Sequence, residues 1–240
     1  MRKLLSVMTV LIVALGSVLV GLALAQSELT CEELEPSTDD LAYYVGLGNG
    51  YYAQGDFNTA VIVYSCALAT DATYTPALVA RGFSYTALGN LTAALDDYNT
   101  AIELDDSNLA AYMNRGILYT QQGRFGLALT DFDFVIALEP ARASAYNNRG
   151  VVYAAEEDYA LAIADFEEAI ALDDTYAAPY ASLGVVYSAL AVENYAEYTA
   201  RAGEGSRLPA GQPDVVISSL ALERETGTFN TWLGLQTPAR

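Results

Sequence analysis

Three arginines recur at intervals of 34 positions along the chain, and each is followed 16 positions later by an aspartate. The pairs are Arg81 with Asp97, Arg115 with Asp131, and Arg149 with Asp165. A guanidinium and a carboxylate can form a bidentate pair that satisfies both charges when they are partly buried. The same arginines could instead form a row that binds an anionic ligand. The two interpretations predict different neighbours for each guanidinium.

The ends of the two columns favour the ion-pair interpretation. The arginine column begins with Leu47 and ends with Leu183, which have Val63 and Thr199 at the same 16-residue offset. Arginine therefore occurs only with aspartate, and leucine only with an uncharged partner. Pairing each residue of the aspartate column with the arginine column of the next repeat would break the match, because Val63 would then face Arg81. We expect each arginine to pair with the aspartate of its own repeat.

The elements that position these pairs repeat with the same period. The columns that share the 34-residue step are Gly48, Gly82, Gly116, Gly150 and Gly184; Tyr51, Tyr85, Tyr119, Tyr153 and Tyr187; Ala60, Ala94, Ala128 and Ala162; and Tyr64, Tyr98, Phe132 and Phe166. A fixed period in this range is typical of a solenoid of supersecondary units.

The apolar spacing predicts two helices in each repeat. In the fourth repeat they run from Ala143 to about Glu156 and from about Tyr159 to Leu172. Acidic or proline-containing turns separate successive repeats, as at Asp105-Asp106-Ser107, Glu139-Pro140 and Asp173-Asp174-Thr175. Such residues end one helix and cap the next.

These columns resemble the tetratricopeptide repeat family, whose signature contains Gly-x-x-Tyr, Ala-x-x-x-Phe/Tyr and a terminal proline. The resemblance implies an all-α, right-handed superhelical solenoid with repeats at 41–74, 75–108, 109–142 and 143–176. A degenerate fifth repeat at 177–203 keeps a first helix from Ala178 to Leu190, whereas its second helix degenerates around Tyr195 and Tyr198. The family's first-helix tryptophan is replaced by Tyr44, Leu78, Tyr112, Tyr146 and Tyr180, and the terminal proline survives only as Pro140.

The two ends of the chain differ from the repeats. Residues 1–25 combine a basic start with a long apolar run and the small-x-small segment Ala23-Leu24-Ala25, which predicts a signal peptide or a membrane anchor. If this segment is not cleaved, residues 4–24 would tether the protein to a membrane. Either interpretation places the rest outside the cytoplasm, secreted, periplasmic or anchored facing outward. Residues 26–40 form an N-terminal extension, 204–213 a linker and 214–240 a capping segment with a C-terminal helix.

The two cysteines fit an exported protein. Cys66 lies late in the second helix of the first repeat, and the return of that helix brings it near the start of the first helix at about residue 41. Ten residues from Cys31 can span the remaining distance. We expect a disulfide between Cys31 and Cys66, with two separate thiols as the alternative.

Composition removes several classes of function. The sequence has 30 acidic and 11 basic residues, a net charge of −19, which disfavours nucleic acid as a partner. It contains no histidine, only two cysteines and no GxxxxGK loop. Carboxylates could serve a glycosidase, but none stands at an apolar cleft position. The Asp105-Asp106 and Asp173-Asp174 turns are too short to supply the six or more oxygens that calcium takes. We expect no catalytic residues, no cofactor and no metal.

In the family that the sequence resembles, the first helices of the repeats line a concave face that takes a peptide. The residues that we place on this face are Val45, Asn49, Tyr52, Val79, Phe83, Met113, Asn114, Ile117, Gln121, Asn147, Asn148 and Val151. This set is uncharged, whereas the acids fall on second helices and turns, as Glu103, Asp105, Asp106, Glu167, Glu168, Asp173 and Asp174 do. Some family members bind a C-terminal carboxylate through Lys, Arg and Asn, but here no lysine follows Lys3 and the arginines are assigned to aspartates.

The sequence therefore predicts an exported scaffold that binds an apolar or neutral peptide segment of a partner protein. The alternative is an enzyme or a calcium-binding protein that uses its acidic residues.

Overall fold

The computed structural model describes residues 30–31, 34 and 40–202. The predicted signal or anchor at 1–25, the linker at 204–213 and the capping segment at 214–240 lie outside the described residues. Within the described part the secondary structure is helical, with nine helices and no strand. None of these helices has the length and hydropathy needed to cross a membrane. An all-α fold is thereby confirmed, whereas the handedness of the superhelix stays a prediction.

The helices follow one another through short turns. They are α1 Leu41–Ala53, α2 Phe57–Thr70, α3 Thr75–Ala87, α4 Leu91–Leu104, α5 Leu109–Gln121, α6 Phe125–Leu138, α7 Ala143–Ala155, α8 Tyr159–Leu172 and α9 Ala177–Ala202. The chain divides into two compact units, residues 1–84 and 85–240. In the first unit α1 packs against α2, and in the second each helix from α4 to α9 packs against the next. The predicted bounds of α7 and α8 agree with the structure to within one residue.

Turn chemistry sets the boundary between the two helices of a repeat. Gly55, Gly89 and Gly123 have φ of 80°, 75° and 69°, the left-handed conformation that glycine adopts without steric cost. The fourth repeat has Glu157 there, with φ of 64°. The following residue often caps the second helix, as Asp56 does by accepting a hydrogen bond from the backbone N–H of Thr59 at 3.1 Å.

The fifth repeat differs from its prediction in a way that the same positions explain. The sequence predicts a helix that ends at Leu190, but α9 continues without a break to Ala202. Ala191 and Val192 stand where the fourth repeat has Glu157 and Asp158. Alanine favours the helix over a left-handed turn, and valine has no side-chain oxygen to cap a new helix. The helix therefore continues.

Cys31 is covalently linked to the first repeat. In the structure a disulfide joins Cys31 to Cys66, whose Cα atoms are 5.5 Å apart. The side chain of Cys66, on α2, is buried, and so is that of Leu34. A covalent link at this point limits the separation of residue 31 from α2 when the chain unfolds, which lowers the entropy of the unfolded state.

Close contact between the two helices of a repeat depends on glycine. A Cβ atom added to Gly116 would lie 2.7 Å from the ring of Phe132, and one added to Gly150 would lie 2.7 Å from the ring of Phe166. Both rings are fully buried, so they have little room to move. At Gly184, by contrast, an added Cβ would meet no atom of the described residues within 4 Å.

This difference predicts opposite effects of one substitution at two positions of the same register. Gly150→Ala should lower the free energy of unfolding by about 1–3 kcal/mol, because the new methyl overlaps Phe166. Gly184→Ala should raise it by about 0.5–1 kcal/mol, because alanine favours a helix more than glycine does. Urea unfolding followed by circular dichroism measures both values, and equal effects of the two variants would contradict the assigned packing.

Candidate functional site: a row of arginines and a neutral cavity

Arg149 lies between the second helices of two successive repeats. Its Nε and Nη2 atoms donate hydrogen bonds of 2.8 and 2.7 Å to the carboxylate of Asp165 on α8. Its Nη1 atom donates a third, of 2.7 Å, to Asp133 on α6. Asp165 is buried, whereas the side chain of Asp133 is 56% exposed. One guanidinium thus joins α6, α7 and α8.

Arg115 repeats this arrangement one repeat earlier. It donates bonds of 2.9 and 2.7 Å to the carboxylate of Asp131 on α6. Its Nη1 atom donates a bond of 2.8 Å to the side-chain oxygen of Asn99 on α4. The structure thus brings both predicted pairs of the second unit together in bidentate geometry. The pair of Arg81 with Asp97 crosses the boundary between the two units and stays a prediction.

The third bond of each arginine is a feature that the sequence prediction missed. The acceptor lies 16 positions before the arginine, and within the first unit Arg81 likewise donates to Ser65 at 3.1 Å. The residues at this offset are Ser65, Asn99 and Asp133, all of which can accept a hydrogen bond. That column was visible in the sequence.

Aromatic rings and burial complete the surroundings of the two guanidiniums. The Cζ atom of Arg149 lies 5.5 Å from the ring centroid of Tyr146 and 5.9 Å from that of Tyr153, within cation–π range. The hydrogen bond to Asp165 raises the pKa of Arg149, so this arginine is charged at every pH the folded protein meets. Burial raises the pKa of Asp131, and its bonds from Arg115 oppose that shift.

The second unit contains a cavity of about 440 Å³. Its lining residues are near the arginines and aspartates of the ion pairs in sequence but do not include them. The lining residues come mainly from the first helices α5 and α7 and from α9, and they are Ile117, Thr120, Gln121, Phe132, Asn147, Asn148, Val151, Ala178, Ala181 and Ser182. None of them carries a charge. This volume lies within the usual range of ligand pockets, about 300–1,000 Å³.

The predicted groove residues of the second unit divide into two groups. Ile117, Gln121, Asn147, Asn148 and Val151 line the cavity together. The remaining two do not: Met113 is 8% exposed and belongs to the hydrophobic core, and Asn114 is half-buried. Met113 shares its core cluster with Ala145 and Val152 of the next repeat, and its place in a groove stays a prediction.

The other five cavity residues were not predicted. Phe132 belongs to a repeat column, Thr120 has no place in the sequence prediction, and Ala178, Ala181 and Ser182 belong to the degenerate fifth repeat. For two of them the signal was their register, because Ala181 and Ser182 lie 34 positions after Asn147 and Asn148.

In the first unit the predicted groove residues have local partners. The side-chain oxygen of Asn49 accepts a hydrogen bond of 2.7 Å from the hydroxyl of Tyr64. Tyr52 stacks on Phe83 with ring centroids 4.9 Å apart, and Phe83 is 45% exposed. Val45 and Val79 are half-buried. The Tyr52–Phe83 pair is an aromatic surface of the first unit.

Amide groups supply the polarity of the cavity. The Nδ2 atom of Asn147 donates to the side-chain oxygen of Asn148 at 3.4 Å. The hydroxyl of Ser182 donates to the backbone oxygen of Ala178 at 3.1 Å and lies 3.5 Å from the side-chain oxygen of Asn147. Primary amides donate and accept at once, as a peptide backbone does. The cavity therefore presents hydrogen-bond donors and acceptors but no charge.

The acidic turns have a structural role in the described residues. The side chain of Asp173 accepts hydrogen bonds from the backbone N–H and the hydroxyl of Thr175, which lowers the pKa of this carboxyl. Asp105 bonds Ser107 in the same way. Such bonds close Asx turns. No group of three or more acidic or cysteine side chains that could hold a metal ion occurs in the part of the chain that the structure describes.

Successive packed helical hairpins of this kind define an α-helical repeat solenoid. Two sequence profiles match the chain, one described as TPR repeat over residues 82–123 and one described as Tetratricopeptide repeat over residues 113–177. These matches confirm tetratricopeptide repeats over residues 82–177. No curated protein matches the sequence.

Solved structures show the same fold at low identity. A tetratricopeptide repeat protein from Parabacteroides merdae is 21% identical, with a TM-score of 0.61 over 84% of this chain and 79% of that one. PilF of Pseudomonas aeruginosa is 21% identical, with a TM-score of 0.59 over 81% of this chain and 88% of that one. MamA from Desulfovibrio magneticus RS-1 is 18% identical, with a TM-score of 0.57 over 80% of this chain and 100% of that one. At this identity the likeness extends to the fold alone.

The geometry predicts the outcome of a double-mutant cycle on the fourth repeat. Arg149→Leu leaves Asp165 buried without its cation and should cost about 3–5 kcal/mol, less if water reaches the carboxylate. Adding Asp165→Val reproduces Leu47 and Val63 of the first repeat and should recover much of that loss, because a buried pair replaced by apolar residues is often neutral. Urea melts of the four proteins measure the coupling.

Asp133 supplies the internal control for this cycle. Its contact with Arg149 is solvent-exposed, so Asp133→Asn should cost no more than about 1 kcal/mol. A coupling near zero between Arg149 and Asp165 would contradict the pairing, and Arg149 would then be open to a ligand.

Proposed function

We propose that this protein is an extracytoplasmic scaffold that binds an apolar or neutral peptide segment of a partner protein. The observation that carries the proposal is the cavity between α5, α7 and α9. It has pocket-like volume, an apolar floor that includes Ile117 and Val151, and primary amides at Asn148 and Gln121. Apolar contact supplies affinity, and amides that bond the peptide backbone fix its register.

The extracytoplasmic location is supported by two independent features of the sequence and structure. The apolar N-terminal segment has the composition of an export signal or anchor. The disulfide between Cys31 and Cys66 is of a kind that persists in oxidising compartments and is rare in the cytosol.

A pull-down from the extracytoplasmic fraction with matched charge variants tests the proposal. Asn148→Asp introduces a carboxylate into the neutral cavity and should weaken capture of the partner about tenfold or more, because a charge that loses water without a cation is disfavoured. Asn58→Asp makes the same chemical change at an exposed position at the start of α2 and should leave capture unchanged. Capture that survives Asn148→Asp but fails with Asn58→Asp would show that the binding face is misassigned.

A further inference from the structure

Small residues in the fifth repeat create the cavity. Ala181 occupies the register that holds Met113 in the third repeat and Asn147 in the fourth. Ala181 is exposed, and it lines the cavity together with Ala178. A side chain as large as that of Met113 at this position would enter the space that a ligand needs. The cavity lies where first helices of the third, fourth and fifth repeats meet.

The polar groups of this cavity match the donors and acceptors of a peptide backbone and supply no cation for a carboxylate. Gln121, Asn147 and Asn148 each present a donor and an acceptor, whereas a carboxylate offers acceptors only. A carboxylate that enters a partly desolvated site needs a cation. Arg115 and Arg149 bind Asp131 and Asp165 respectively, and neither lines the cavity.

We infer that the cavity binds an internal segment of its partner and discriminates against free C-termini. One large uncharged side chain of that segment occupies the cavity, and its continuous backbone crosses Asn148. This inference rests on the proposed function and names its ligand more narrowly. Ala181 sets the size of the accepted side chain, and the absence of charge among the lining residues sets the discrimination against a terminal carboxylate.

Two display libraries of random peptides test the inference with the full exported chain as bait. In one, each peptide is fused at both ends, so that no terminal carboxylate is present. In the other, each peptide ends in a free carboxylate. Binders should emerge from the internal format, carry an uncharged large residue at one fixed position, and favour that format by about tenfold or more.

Two pairs of variants connect the selected binders to the cavity. Ala181→Met should reduce binding of the selected peptides about tenfold or more by filling the space, whereas Ala137→Met, at an exposed position of α6, should not. Asn148→Lys should shift selection toward the format with free C-termini, because it supplies the cation that a carboxylate requires.

The outcomes separate the inference from the proposed function. Binders that depend on Ala181 but come from the free C-terminal format would overturn the selectivity and leave the peptide-binding cavity standing. Binders that are insensitive to Ala181→Met, or no binders in either format, would overturn the cavity as a peptide site and the inference with it.

Discussion

The close approach of the two helices within each repeat is the constraint on which the other features depend. It is possible because a glycine on the first helix faces an aromatic ring on the second, as Gly116 faces Phe132 and Gly150 faces Phe166. At this separation an arginine one residue before the glycine can reach the aspartate one residue before the ring, and it forms two short hydrogen bonds there. A single distance between the two helices of a repeat thus allows both the core packing and the ion pairs.

The arginines have a cost as well as a benefit. Desolvation of two charges offsets most of their attraction, so a buried pair is weak evidence for stability by itself. What Arg149 adds is a third contact, to Asp133 of the preceding repeat, which connects neighbouring hairpins through one rigid, planar group. The arginine pairs also affect the cavity. Because the guanidiniums are bonded to acids and amides elsewhere, the first-helix face near Asn148 is left without charge.

Much of this architecture could be predicted from the sequence, because a 34-residue period imposes the same geometry on every copy. The bounds of α7 and α8 and the partner of Arg149 follow from comparing one repeat with another. The prediction failed where a repeat departs from the others. α9 continues past Leu190 because Ala191 does not favour a left-handed turn and Val192 cannot cap a new helix. The residues at these two turn positions were sufficient to predict this.

The cavity was only half predictable for a physical reason. Its polar half comes from regular repeat positions such as Asn147 and Asn148, but its volume comes from small residues of the irregular repeat, such as Ala181. A cavity forms where a residue is smaller than its counterparts in the other repeats. The 34-residue period identifies the corresponding positions but does not show how much space a smaller side chain leaves. Met113, at the same register as Ala181, belongs instead to a hydrophobic core cluster.

The central claim is that the arginines belong to the structure and leave the binding face neutral. Nitrogen-detected magnetic resonance of the arginine Nε–H groups tests it directly. We expect the Nε–H signals of Arg115 and Arg149 to exchange slowly with water and not to shift when inorganic phosphate is added, since both atoms are already bonded to carboxylates. Rapid exchange together with saturable shifts on phosphate addition would show that the arginine row is an anion-binding site and not a structural one.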